Sequence, residues 1–456
     1  MIQHKELLGL AELRFELDDL LRDNRWYGVA FPKNDFSGDP KLLGYKPQIP
    51  ELNFDWGFGS PIAGIPNDNF STLFQRYLVT GNGDYQLNVS ANDGVRVYID
   101  GKIVLDQWNN RSNGSWSKKI NLTSGKHHIL VKNFELTGVA NLNVSITPSI
   151  VDTFINYNLS LKQMVDIQSN AGPQTDKRYK LWLREDGFQS INEGEGVVKP
   201  ETWNLRRGPG TNYMVGGTVN GGVLPLYDSA EGTGGYTWYH VKNTSGWVRP
   251  DESDLRYYLN PRNFTDNFRN KLQFLKLSQS TGINAKEVNE KVLLNKGILT
   301  GKAESFIDAG KENGINEIYL MAHALLETGN GQSKLANGIV VDGNKGKKTV
   351  YNMYGIGAKD SCPLTCGAQY AYDAGWFTPE AAIKGGAAFI GNGYVQKGQD
   401  TLYKMRWNPG FAEKYNYASH QYASDIGWAF KQTAKMNELY NLIDLYSLTF
   451  EIPIYR

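Results

Sequence analysis

One carboxylate stands out by its surroundings. In residues 322–331, AHALLETGNG, an apolar run that starts at Ile318 ends on Glu327 and breaks at once into Thr-Gly-Asn-Gly. The neighbours Ile318, Leu320, Met321, Leu325 and Leu326 predict a carboxyl partly withdrawn from water, and desolvation disfavours the charged form of an acid. A carboxyl that keeps its proton near neutral pH can donate it to a glycosidic oxygen. The Gly-Asn-Gly turn takes the backbone sharply away and leaves the acid at the lip of a cleft. A surface glutamate paired with a lysine or arginine fits the same ten residues. His323 lies four positions earlier, on the same helical face. Without a second histidine nearby the pair falls short of zinc-site logic, so His323 reads as a core histidine or a hydrogen-bond partner. No metal and no cofactor are expected.

The elements that must position this acid change character along the chain. Residues 1–22 carry leucines at helical spacing among charges, an amphipathic helix that packs on its own domain or docks on another protein. From 23 to 150 short strands alternate, as in Tyr85, Leu87, Val89 and again Val95, Val97, Ile99. Asn92-Asp93-Gly94 and Asp100-Gly101 between them read as hairpin turns. Residues 151–180 are polar and mixed and read as a linker or a covering segment. Strands with Gly and Pro clusters return over 181–258. From 259 to 456 helical periodicity dominates, interrupted at 338–358 by strands around an Asp-Gly turn.

The 456 residues imply several cores, and with a net charge of +1 nothing marks the chain as a nucleic-acid binder. No run approaches the length of a membrane span, and the N-terminus lacks the apolar core of a signal peptide. With 26 Tyr and 11 Trp the composition suits β-rich modules and ring stacking on sugars. The two cysteines, Cys362 and Cys366, are too few for structural zinc; a local disulfide and two free thiols stay open.

Three resemblances refine this reading. WYGVAFPKNDFSG (26–38), NFDWGFGSP (53–61) and NDGVRVYIDGKIVLDQW (92–108) resemble the PA14 family of β-sandwich modules. Some members hold calcium and sugar through paired aspartates; the pair here is Asn92-Asp93, and a turn-stabilising role is expected instead. WNLRRGPGTNY (203–213) and WYHVKNTSGWVRP (238–250) resemble bacterial SH3 domains, which implies a small barrel with Trp203, Tyr213, Trp238 and Trp247 as core or wall-contact residues. AHALLETGNG, YNMYGIGAKDSCPL, YAYDAGW, GQDTLYKMRWNP and HQYASDIGWA resemble the family 73 endo-β-N-acetylglucosaminidases of autolysins and phage lysins. The expected architecture is therefore multidomain: an all-β sandwich, an SH3-like barrel, and a mainly α lysozyme-like domain with a small β-lobe.

That last resemblance implies cleavage of the β-1,4 bond after N-acetylglucosamine in peptidoglycan, with Glu327 as the acid. It points to Tyr422 and Asp425, or Asp360, as the second group, and to Tyr354, Trp407 and Asn408 along the groove. Trp407 packed in the core and Asp373 as a surface charge are the plainer readings of those two residues. An inverting course needs a second carboxylate about 6.5–9.5 Å away and a retaining one a nucleophile at about 5–5.5 Å; a third route uses the substrate's N-acetyl oxygen. The expected partners are glycan strands, held also through the sandwich and SH3-like modules, and a virion protein at the N-terminal helix. Action is expected at the cell wall, from a virion or after lysis. A muramidase, a lytic transglycosylase and a mainly structural tail protein are the alternatives.

Overall fold

The computed structural model describes residues 26–456, save 47–50, 81–82, 111–112, 124, 243–245 and 360. The expected helix over 1–22 thus lies outside the described residues. The chain forms two compact units. One comprises residues up to Val151 with Gln279–Phe389 and Leu439–Thr449; the other comprises Asp152–Ser278, Ile390–Glu438 and Phe450–Arg456. The 259–456 region read as one domain contributes to both.

In the first unit ten strands make two sheets: β1 (Trp26–Phe31), β2 (Lys41–Lys46), β3 (Leu52–Gly57), β4 (Phe70–Thr80), β5 (Gly83–Ala91), β6 (Gly94–Ile99), β7 (Lys102–Gln107), β8 (Gly114–Leu122), β9 (Gly125–Glu135) and β10 (Ala140–Pro148). The orders are β2-β1-β4-β9-β6-β7 and β3-β10-β5-β8. Alternation dictates the layering, since Tyr85, Leu87 and Val89 are buried while Gln86, Asn88 and Ser90 between them are not. Asp100-Gly101, both with positive φ, closes the expected β6–β7 hairpin.

Asn92-Asp93-Gly94 does something else. β5 pairs with β8 and β10, and β6 pairs with β7 and β9, so this turn carries the chain from one sheet to the other. Its polar groups tie down loops. Asp93 Oδ2 accepts from Leu136 N at 2.7 Å, and Asn92 Oδ1 accepts from Asn113 N at 2.8 Å.

The sandwich core, including Phe74, Tyr85, Val97, Val131 and Leu142, also takes in Leu445 from near the chain's end. Each large buried side chain contributes about 1.5–3 kcal/mol. Tyr85 Oη donates to Gly282 O at 3.2 Å, and Ser447 Oγ donates to Asp84 O. The sandwich is therefore packed on the remainder of its unit. That remainder holds the helices Ala303–Asn313, Glu317–Glu327 and Pro363–Ala374, most of Pro379–Gly393, and an antiparallel hairpin, Ile339–Gly343 with Gly346–Val350. The hairpin is the β insertion expected from the sequence. A disulfide joins Cys362 to Cys366, closing the question of two free thiols.

In the second unit seven strands over Leu181–Val241 form one antiparallel-paired sheet, around Leu181, Leu183, Phe188, Leu205 and Val241. Trp238 is buried and Trp203 packs on this core, whereas Tyr213 and Trp247 are 43% and 49% exposed. Residues 151–180, read as a linker or a covering segment, contain regular structure. Residues Ile150–Tyr157 form a strand, with Thr153 Oγ1 donating to Phe450 O at 2.8 Å. Leu161–Ser169 is a helix that buries Met164, Val165, Ile167 and Gln168. Its start carries a capping box, Ser160 and Gln163 exchanging bonds with each other's backbone N–H, a signal present in the sequence as Ser-x-x-Gln.

Candidate active site

Glu327 is the last residue of the Glu317–Glu327 helix. Asn316 caps the helix start by accepting from Tyr319 N at 2.9 Å. Glu317 anchors it further, with Oε1 accepting from Ser280 Oγ, Thr281 N and Thr281 Oγ1 at 2.9–3.0 Å. Burial pushes the Glu317 carboxyl up while these donors pull it back. Ile318, Leu320, Met321 and Leu325 face the core.

The turn after the acid explains its unusual residues. Thr328, almost fully buried, donates from Oγ1 to Ala324 O and accepts from Gly331 N. Its carbonyl accepts from Gln332 N and Ser333 N. Gly329, Asn330 and Gly331 all take left-handed φ, of 57°, 59° and 79°. A Cβ on Gly331 would lie 2.1 Å from Lys296 O, so the chain crosses there at backbone contact.

The desolvation expected of Glu327 is not present. Its side chain is 47% exposed, and Leu326 beside it is also exposed, because both stand at the open end of a helix whose other apolar residues, Ile318, Leu320, Met321 and Leu325, are buried. His323, whose side chain is 12% exposed, places Nε2 3.6 Å from Glu327 Oε1. On the other side the Gly355 backbone closes in, where a Cβ would stand 3.4 Å from Glu327 Oε2.

Tyr354 does not line a groove. It is 5% exposed, with its ring edge-on to His323 at 5.5 Å. A Cβ on Gly386 would meet that ring at 2.0 Å, so the glycine makes room for it. Burial raises the Tyr354 phenol well above its ordinary range. The ring supports His323, which in turn stands beside the acid.

Asn352 holds the 352–356 loop, and its type and spacing gave no warning of this. It is 1% exposed. Its Nδ2 donates to Ile356 O and Gly367 O, and its Oδ1 accepts from Tyr354 N and Ile356 N. Gly355 is thereby set against the carboxylate. Asp360, the β-lobe candidate, lies outside the described residues.

The remaining candidates belong to the second unit. Tyr422 is half-buried, stacked on Trp428 at 4.5 Å and packed on Tyr394 at 5.0 Å, with its N–H donating to Met405 O. Asp425 is 8% exposed, and both its oxygens are engaged. Oδ1 accepts from Gly427 N at 2.9 Å and Oδ2 from Lys431 Nζ at 2.8 Å. Burial works against the Lys431 charge, yet Asp176 and Asp425 together hold it above its ordinary range. Arg406, fully buried, donates from Nε to Asp425 O and from Nη2 to Ser424 O. Burial pulls this guanidinium down to about 9, with Asp425 opposing.

Trp407 is 1% exposed beneath the Arg406 guanidinium, 3.9 Å from its ring centre, and cannot stack on a sugar. Asn408 sits at φ 42° between two helices and donates to Ser419 O at 3.0 Å, a joint rather than a contact surface. Asp373 accepts from Gln369 on the surface. Among the described residues no group of three His, Cys, Asp or Glu side chains could hold a metal ion. No helix among them is long and apolar enough to cross a membrane.

Residues 303–441 match the Glucosaminidase family model, described as mannosyl-glycoprotein endo-beta-N-acetylglucosaminidase. Residues 26–144 match the PA14 domain. The chain is 46% identical over 314 residues to a Beta-N-acetylglucosaminidase of Bacillus subtilis (strain 168), covering 68% of this chain and 33% of that protein. It is 43% identical over 216 residues to a Bifunctional autolysin of Staphylococcus epidermidis (strain ATCC 12228), covering 46% of this chain and 16% of that protein. The chain thus spans a third or less of these curated relatives. A solved Major Bifunctional Autolysin is 30% identical with a TM-score of 0.44, covering 68% of this chain and 100% of that one.

Proposed function

We propose that this chain, which carries a glucosaminidase-family domain and a PA14 domain, is a peptidoglycan glycosidase. It cleaves the β-1,4 bond after N-acetylglucosamine, with Glu327 as general acid. The observation that carries the reading is the half-exposed Glu327 carboxyl at a helix end, inside the matched segment, flanked by His323 and the Gly355 backbone. A glycan lying on it would cover the exposed half of the carboxyl. Glu327 then gives its proton to the leaving oxygen as the C1–O bond breaks.

The family resemblance keeps Tyr422 as the proposed second group, and its ring is packed on Trp428 and Tyr394. Asp425 holds the loop that carries it, since Lys431 and Gly427 N already occupy its oxygens. A carboxylate so engaged is a poor general base, which supports the route through the substrate's own acetamido oxygen. In that route the oxygen attacks C1, and Glu327 later takes a proton from the incoming water.

The two curated relatives named above are from bacteria, which supports wall remodelling over a virion role. A wall-holding role for the sandwich and for the 181–258 sheet belongs to the same proposal, with the exposed Tyr213 and Trp247 as contact rings. The test is product analysis. Peptidoglycan digested by the wild type and by Glu327→Gln is reduced with borohydride and its new ends are identified by mass spectrometry. Reduced N-acetylglucosamine ends made by the wild type alone are expected. Reduced muramic ends or anhydro products would move the assignment to a muramidase or a transglycosylase.

A further inference from the structure

A groove of about 470 Å³ in the second unit is built by the Leu161–Ser169 helix and the turn at 416–418. The helix lies outside both matched segments, whereas the 416–418 turn falls inside the glucosaminidase match, so the groove is completed by residues that neither model covers. Its lining combines one aromatic ring, Tyr417, with the amides of Gln163, Asn170 and Asn416, the Asp166 carboxylate and the apolar edge of Ile167. None of these six is a residue we assign to the reaction.

The walls are fixed before any ligand arrives. Tyr417 is 57% exposed, yet its ring is held edge-on by Phe411 at 5.1 Å and 84°. Asn416, at φ 57°, ends the Pro409–Tyr415 helix and turns the chain so that Tyr417 follows at once. Across the groove, Gln168 on the buried face of the helix donates to Trp407 O at 2.9 Å and accepts from Gln421. Asn170 donates to Asp166 O at 3.1 Å, which orients that amide. Lys162 neutralises Asp166 from one side at 2.8 Å, so the groove carries little net charge.

A rigid exposed ring beside amides and a paired carboxylate matches the chemistry of a pyranose. The ring takes the apolar C–H face, while the amides and the carboxylate take hydroxyl and acetamido groups. The volume falls in the range of small-molecule clefts. We propose that this groove is an accessory subsite for a neutral strand of N-acetylated hexosamines, holding polymer while the reaction proceeds elsewhere. The proposal rests on the glycosidase reading for its ligand class. Tethering of this kind raises local substrate concentration without altering the bond-breaking step.

The experiment uses the full chain. Binding to purified peptidoglycan is measured by co-sedimentation in the Glu327→Gln background, with Tyr417→Ala, Tyr417→Phe and Asp166→Asn added singly. Turnover of a soluble N-acetylglucosamine tetramer is measured with the same three changes in the active enzyme. Tyr417→Ala should weaken polymer binding about five- to ten-fold, Tyr417→Phe should retain it, and tetramer turnover should stay within about two-fold of wild type. Unchanged polymer binding in both Tyr417→Ala and Asp166→Asn overturns the proposal. So does an equal loss of tetramer turnover, which would put the groove inside the reaction or the fold. If the wild type cuts neither tetramer nor polymer, the glycosidase reading fails, and the binding arm still decides the groove. Peptidoglycan stripped of its stem peptides separates the sources, since loss of binding on stripping overturns the sugar assignment in favour of a peptide.

Discussion

At the scale of single residues the reading turns on how water meets Glu327. A group half exposed in the free protein can be changed to an isostere at little structural cost. Glu327→Gln should therefore lower cleavage at least about a hundredfold, while its melting temperature stays with the wild type. A matching loss of stability would show the carboxyl to be structural. Asn352 stands at the other extreme, buried with both ends of its amide in use. Asn352→Ala leaves the Ile356 and Gly367 carbonyls without their donor, at a cost of about 2–4 kcal/mol. Urea unfolding should register that cost, and turnover of the variant should fall because Gly355 loses its support.

At the scale of elements, two features of local geometry have measurable consequences. The left-handed run Gly329-Asn330-Gly331 lets the helix stop at the acid, and Gly331 touches the Lys296 carbonyl. Gly331→Ala adds both a strained φ and a backbone clash, and should destabilise the protein by more than about 2 kcal/mol. In contrast, Gly314→Ala, also at a left-handed φ but in open space, should cost about 1 kcal/mol. Comparison of their thermal midpoints separates clash from strain.

The end of β9 carries the second feature. Glu135 is 1% exposed, and burial first, then Asp93 and Asp68, pushes its carboxyl from an ordinary 4.5 up to about 8. Between those values the folded chain keeps a proton that the unfolded chain has released. Its contribution is thus fully present below about 4.5 and is lost as pH rises through about 8. The stability difference between wild type and Glu135→Gln should change by a few kcal/mol, on the order of magnitude, between pH 4.5 and pH 8. A pH-independent difference would show that Glu135 titrates normally.

At the scale of the whole molecule, the sandwich is a structural part of its unit. Leu445 lies in its core, Tyr85 reaches Gly282, and Ser447 reaches Asp84. Arg76, buried in the sandwich, is pulled down to about 10 by desolvation, with the Asp444 charge opposing. Removal of residues 1–151 would uncover Leu445 and strand these polar groups. The truncated protein should melt well below the full chain and expose apolar surface to a hydrophobic dye. Equal melting behaviour would instead make the sandwich an independent module.

Much of this organisation was legible from the chain alone. Period-two alternation marks β5 and β6, because a sheet with one buried face requires it. Apolar periodicity marks the Glu317–Glu327 helix, and Thr-Gly-Asn-Gly marks its end, because after Thr328 three left-handed residues follow. Ser160-x-x-Gln163 is a helix-start signal that the reading of residues 151–180 did not use. Long-range packing decided the rest. Asn92-Asp93-Gly94 has the local chemistry of a hairpin turn, but the partners of β5 and β6 lie in different sheets, and pairing is not a local property. The neighbours Ile318, Leu320, Met321 and Leu325 are buried, yet Glu327 stands at the exposed end of their helix, which leaves its carboxyl in water. Trp407 and Tyr354 carry rings suited to sugar, and burial under Arg406 and against Gly386 makes them supports instead. Residue type limits what a side chain can do; which of those things it does depends on the surface it is left with after folding.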